Sequence, residues 1–149
     1  CNLYGPNDSF DLKHSHVLSA LVKRFTDAAE ENIPEITLWG TGEARREFMH
    51  VDDLARATKF MIDKYNGHEF INIGTGTEIT IHELAETMAE VVGFEGRLVF
   101  DDSKPDGAPR KLMDSSKLES LGWQAAITLK DGLYNTYAWF LVNQNAFRR

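Results

Sequence analysis

The stretch Phe70–Gly93, FINIGTGTEITIHELAETMAEVVG, decides the fold. Phe70-Ile71-Asn72-Ile73 is a short run of β-formers closed by Gly74-Thr75-Gly76, which predicts a strand ending in a turn. Thr80 and Glu83 have capping-box spacing, and Leu84, Met88, Val91 and Val92 then repeat with helical period until Gly93. Strand, glycine turn and helix in succession invite a dinucleotide-binding reading. That fingerprint needs a third glycine three residues after the second, where Ile79 stands, and an acidic residue about 20 positions on, at the end of a second strand. Neither requirement is met, so the turn reads as structural.

The same alternation extends outward in both directions. Upstream, Asn2 to Asp11 reads as loop, with Gly5-Pro6-Asn7-Asp8 as turn chemistry. Ser15 is placed to cap a helix carrying Leu18, Leu21, Val22 and Phe25, which ends before Pro34. Ile36 to Trp39 is a strand closed by Gly40-Thr41-Gly42, and Phe48 to Val51 is a brief extended run. Asp52 or Asp53 then caps a helix with Leu54, Ala57, Phe60 and Met61 on one face. Downstream lie a strand at Arg97–Phe100 and a charged loop from Asp101 to Lys111. A short helix boxed by Ser116 and Glu119 follows, then a last helix begun by Thr128 and Asp131. Strands alternating with helices through short loops define an α/β chain with a small sheet and flanking helices. So few short strands leave a sheet expected to be completed by further polypeptide. The opening, a turn behind Cys1 with no initiator Met, carries the same expectation of a piece of something longer.

Bulk properties bound the function. Length of 149 residues, 42% hydrophobic and 26% charged content are those of one globular domain with a real core. No run approaches the roughly 20 apolar residues of a membrane span, and no signal peptide is apparent. A single cysteine cannot form an internal disulfide, which fits a cytoplasmic location. Net charge of −7 argues against nucleic acid, because phosphate backbones are met by broad basic surface. An anionic ligand would need a local cluster of Arg and Lys. The histidines show no metal-ligand spacing.

Three stretches carry chemistry suited to such a ligand. In the first helix His16 and Arg24 are eight residues apart, about 12 Å along the axis. That span is comparable with a sugar at one end and a diphosphate at the other. Imidazole suits acid–base work near neutral pH, and guanidinium suits phosphate. His14 is an equal candidate by composition, and a helix-end histidine with a solvated arginine is the plainer reading. Trp39-Gly40-Thr41-Gly42 followed by Arg45-Arg46 can hold a nucleotide, with indole on a flat face and Arg on charge, or can be a core tryptophan beside a solvated bend. Ser103 to Lys111, SKPDGAPRK, mixes cations with Asp106, whose carboxylate can accept ribose or guanine hydrogen bonds. It can equally be a plain solvated loop.

Taken in order, Asn2-Leu3-Tyr4-Gly5-Pro6, Ser15-His16-Val17 with Lys23-Arg24-Phe25, Trp39 to Gly42, Arg46-Glu47-Phe48 with His50 to Asp53, Ile73 to Gly76, and the SKPDG–PRK loop resemble the C-terminal half of the GDP-L-fucose synthase family. These are extended short-chain dehydrogenases/reductases of Rossmann type. The resemblance runs through the whole chain, so residues 1–149 are expected to form one substrate-binding portion, with the N-terminal cofactor half absent. It implies C3/C5 epimerisation and NADPH-dependent C4 reduction of GDP-4-keto-6-deoxy-D-mannose to GDP-L-fucose.

The resemblance also implies residue roles. His16 would be the acid–base group, near the nicotinamide as well, which selects it over His14. Cys1, Asn2 and Leu3 would pass the NADP. Arg24 would hold the diphosphate, Trp39 and Arg46 would contact the substrate, and Asp106 and Lys111 would line the nucleotide end. A GDP-sugar substrate and a homodimer are the partners implied. No Tyr-x-x-x-Lys and no glycine-rich NADP loop occur here, so this chain alone is expected neither to bind NADPH tightly nor to turn over. Another nucleotide-sugar epimerase or 4,6-dehydratase, and a non-catalytic nucleotide-sugar binding module, remain alternative readings.

Overall fold

The computed structural model describes residues 1–12 and 14–147. The fold-deciding stretch keeps its helix and loses its strand. Thr80 and Glu83 make a full capping box at the head of a helix, Ile81–Val92. That helix stops at Gly93, whose left-handed backbone (φ 76°, ψ 31°) an L side chain would resist. Residues 70–73 form no ladder. Phe70 is fully exposed, Ile71 and Ile73 lean on a hydrophobic cluster, and the Asn72 side chain donates to the Asp114 carbonyl. A strand exists only where a neighbour completes its hydrogen bonds, and none is present here among the described residues. The strand lies instead at Ile79–Thr80.

In chain order the elements are β1 (Asn2–Tyr4), α1 (Val17–Glu30), β2 (Glu35–Trp39), β3 (Arg45–Arg46), β4 (Phe48–His50), α2 (Val51–Lys64), β5 (Ile79–Thr80), α3 (Ile81–Val92), β6 (Arg97–Asp101), β7 (Arg110–Lys111), α4 (Ser116–Ser120) and α5 (Leu129–Phe147). They make three small ladders. β1 runs parallel to β4, β2 runs parallel to β6, and β3 lies between antiparallel β5 and parallel β7. Asn2 to Tyr4, read from sequence as loop, is therefore strand.

Alternation along β2 turns Ile36 and Leu38 inward and leaves Thr37 and Trp39 exposed. Those inward residues join Leu18, Leu21, Val22 and Phe25 of α1 and Leu84 and Met88 of α3 in the main core. A second cluster gathers Met49, Ala57, Leu118 and Trp123.

The helix starts differ from expectation. His16, not Ser15, stands at the N-cap of α1, and the Ser15 hydroxyl is buried with no hydrogen-bond partner among the described residues. α2 is capped by His50, whose Nδ1 accepts from the Asp52 amide. Asp53, freed from capping, accepts instead from the Ala126 and Ile127 amides and pairs with Arg56, which pins the segment ahead of α5 onto α2. Burial by itself would raise the Asp53 pKa, but Arg56 and the two amides outweigh it and hold the carboxyl below its ordinary value. α4 is preceded by Ser115, whose hydroxyl donates to Glu119 rather than capping the backbone.

Candidate active site

The site is built from α1 outward. His16 has extended backbone (φ −68°, ψ 161°), and its ring makes no hydrogen bond to the helix it precedes. It is exposed, whereas His14 sits 2.9 Å from Asp11 in the preceding loop. Arg24, two turns along α1, is half-buried and donates to the Thr37 carbonyl of β2 at 2.5 Å. Its burial lowers the guanidinium pKa, which at neutral pH leaves it charged. Arg24, Asp27 and Thr37 help to line a cleft of about 190 Å³. Eight residues at about 100° each put His16 and Arg24 about 80° apart around the axis. Neither is sealed in hydrocarbon.

Thr37 leads to Trp39, two residues on and on the same exposed face of β2, about 6.6 Å further. Trp39 is 72% exposed, which rules out the core reading of this tryptophan. Parallel pairing sets Trp39 beside Asp101, so the loops leaving β2 and β6 emerge together from adjacent strand ends. Asp106 joins them: its two oxygens accept from the Thr41 amide and the Thr41 hydroxyl, each at 2.7 Å. The Thr41 hydroxyl first, then the amide, hold the Asp106 carboxyl below the ordinary aspartate range.

Arg46 and Lys111 are cross-strand neighbours on β3 and β7, and so are Arg45 and Arg110. Successive side chains on a strand face opposite ways, so the two pairs occupy opposite faces of this ladder. On one face Glu78 lies 2.9 Å from Arg45 and 2.8 Å from Arg110, and pairs with both. On the other, Arg46 donates to the Arg45 carbonyl, and neither Arg46 nor Lys111 has an ion pair among the described residues. Sequence inspection could not divide these four cations; the register does. Arg24, Trp39, Arg46, Asp106 and Lys111 thus share a connected region formed by α1, β2, β3, β7 and two loops.

Asn2 and Leu3 lie on a separate ladder, and Cys1 immediately precedes it. Cys1 is exposed, and Asn2 gives both its amide and its side-chain NH₂ to the Glu47 carbonyl, at 3.0 and 2.9 Å. Glu47 was missed in the sequence. It is 1% exposed, and its carboxylate accepts from the Thr75 and Gly76 amides at 2.6 and 2.9 Å, and from Met113 at 3.2 Å. A Cβ on Gly74 would meet Glu47 Oε1 at 2.5 Å, so the glycine there lets the carboxylate approach the turn. The Gly74–Gly76 turn therefore holds an internal carboxylate rather than a phosphate, as its failed fingerprint anticipates. A cleft of about 540 Å³ beside it, lined by Gly76, Met113, Ser115 and Glu119 among others, contains none of the sequence-predicted site residues. No cluster of three or more His, Cys, Asp or Glu side chains suited to a metal occurs among the described residues.

The fold is that of a small α/β chain, and comparison with known proteins agrees with it. Residues 1–74 match the family described as NAD dependent epimerase/dehydratase family. GDP-L-fucose synthase 1 of Arabidopsis thaliana is 59% identical over 95% of this chain and 44% of its own length. GDP-L-fucose synthase of Escherichia coli (strain K12) is 49% identical over 99% of this chain and 49% of its own. The crystal structure of a GDP-L-fucose synthetase from Naegleria fowleri bound to NADP superposes with a TM-score of 0.91 at 29% identity, covering 99% of this chain and 47% of that one. The chain is similar to these GDP-L-fucose synthases, and it spans a little under half the length of the curated relatives it matches. No helix among the described residues is long and apolar enough to cross a membrane.

Proposed function

We propose that the protein carrying this chain converts GDP-4-keto-6-deoxy-D-mannose to GDP-L-fucose, and that residues 1–149 supply its nucleotide-sugar clamp and an acid–base histidine. The observation that carries this reading is the pair His16 and Arg24 on one helix. A solvent-reachable imidazole stands at its head, and a guanidinium about 12 Å along lies beside the strand that presents Trp39. A ketone at C4 acidifies the C–H bonds at C3 and C5, because the carbanion is shared with the carbonyl oxygen as an enolate. His16 moves the proton at those carbons. Arg24 holds the diphosphate, Trp39 packs on a flat face of the ligand, and the Arg46–Lys111 face takes remaining negative charge. Asp106 lies at the nucleotide end.

The chain's own residues fit one flank of NADP: exposed Cys1 and half-exposed Leu3 offer a strand edge, with Asn2 held in place by Glu47. They do not enclose a dinucleotide, since the Gly74–Gly76 turn ahead of α3 is filled by Glu47. When bound, NADPH supplies the hydride that reduces C4. The intact protein is read as a cytoplasmic homodimer. Sedimentation of the intact protein checks the dimer.

The deciding experiment replaces His16 with Gln in the intact protein and follows solvent deuterium entering C3 and C5 separately from ketone reduction. Exchange is expected to fall by about 10²–10⁴. Exchange at the wild-type rate would remove His16 from this role.

A further inference from the structure

We infer that Thr41 is a positioning residue: with Asp106 it forms a latch between the two loops that leave β2 and β6, and the latch, not a base contact by Asp106, sets the nucleotide end of the site. This deepens the function proposed above and rests on it.

The geometry is specific. β2 and β6 are parallel and in register to their last pair, Trp39 with Asp101, and ligands of open α/β sheets bind beyond such carboxyl ends. The Gly40 amide donates to the Asp101 carbonyl at 2.9 Å, which starts both loops from one point. Beyond the end of β6, Asp106 reaches back with one oxygen on the Thr41 amide and the other on the Thr41 hydroxyl, both at 2.7 Å. Gly40 has φ 85°, and any Cβ there would collide with Asp106 Oδ1, so the first loop is shaped to admit this carboxylate. The second loop turns at Gly107 (φ 74°), and a Cβ there would meet the Arg46 guanidinium at 3.7 Å. Trp39, immediately before the first loop, and Arg46, beside the second, thus flank the latched pair.

Reading guanine by its N1–H and N2–H would engage both carboxylate oxygens side by side. Here each oxygen accepts from Thr41 and keeps a further lone pair, so the base contact is the rival that the test must separate from the latch. Through the latch Asp106 acts on the ligand by loop placement, and a nucleoside diphosphate with either purine should feel its loss alike.

The test measures GDP and IDP binding to the intact protein by calorimetry, IDP lacking the 2-amino group. Thr41→Val is expected to weaken GDP about fivefold, the scale of one hydrogen bond, and Asp106→Ala by about tenfold or more. The GDP/IDP ratio should stay constant in both. The double variant should bind no worse than Asp106→Ala, because the two residues act as one unit. Thr41→Ser, which keeps the hydroxyl, should restore binding.

A collapsed GDP/IDP ratio in Asp106→Ala with wild-type affinity in Thr41→Val would overturn the latch, as would additive losses in the double variant. Amide exchange at Thr41 gives a readout without ligand: it should accelerate in Asp106→Ala, and an unchanged rate sinks the latch. Wild-type protein that binds neither nucleotide, with Thr41 still protected, would instead sink the proposed function alone.

Discussion

His50 shows how a single side chain can couple folding to acidity. It is buried between Tyr4, whose ring meets it edge-on at 5.4 Å, and the Gly5 turn. Its Nδ1 accepts from the Asp52 amide, so the ring proton sits on Nε2, which has no partner among the described residues. Burial lowers its pKa from 6.5, against the pull of Asp52 and Asp53 and with a small push from Arg56. The unfolded chain then takes up this proton at higher pH than the folded one does. The contribution of the neutral ring is complete above pH 6.5 and drains away as pH falls toward the lower, folded value. The unfolding midpoint should therefore drop between about pH 7.5 and 5, and His50→Asn, which keeps an acceptor at the N-cap, should flatten that dependence. An equal pH slope in the variant would assign the effect elsewhere.

Among the elements, α3 is the one whose ends are both written in local chemistry. Thr80 accepts from the Glu83 amide at 3.0 Å, while Glu83 accepts from the Thr80 amide at 2.7 Å. Thr80→Ala should cost about 1 kcal/mol of stability, read as a lower urea midpoint at unchanged slope. A shift too small to measure would mean that packing of α3 on α1 and α5 fixes this end without help from its cap.

Capping chemistry of this kind is local, and local signals are legible: α1, α2, α3 and α5, β2 and β6 all lie where periodicity and turn residues put them. Long-range signals are not. Nothing between positions 70 and 73 says whether a neighbouring strand exists, and Asn2 to Tyr4 reads as loop until β4 arrives beside it. The site divides in the same way. His16, Arg24 and the composition of the Arg45–Arg46 stretch are visible in the sequence. Only the β3–β7 register, joining distant parts of the chain, sorts Arg46 and Lys111 from the pair held by Glu78. Thr41 reads as turn filler because its partner lies 65 residues away.

At the scale of the whole molecule, one buried acid ties the β1–β4 ladder and the β5–β3–β7 ladder to a turn that belongs to neither. Glu47 connects the β3–β4 junction to the Gly74–Gly76 turn and to Met113, just past β7, while its carbonyl takes Asn2 of β1. Glu47→Ala would leave the amides of Thr75, Gly76 and Met113 without their acceptor, and the expected loss is about 3 kcal/mol or more. The same change should loosen Arg46 and Lys111, raising the KM for the nucleotide sugar more than it lowers kcat. A variant with wild-type thermal midpoint and KM would show that this connection is dispensable. Because the acid is carried by the chain itself, it confronts those amides at a local concentration that no dissolved ion attains. Sulfate or phosphate in the buffer finds that corner already taken by a tethered guest, and the Arg46–Lys111 face is left as the natural place for free anions to compete with substrate.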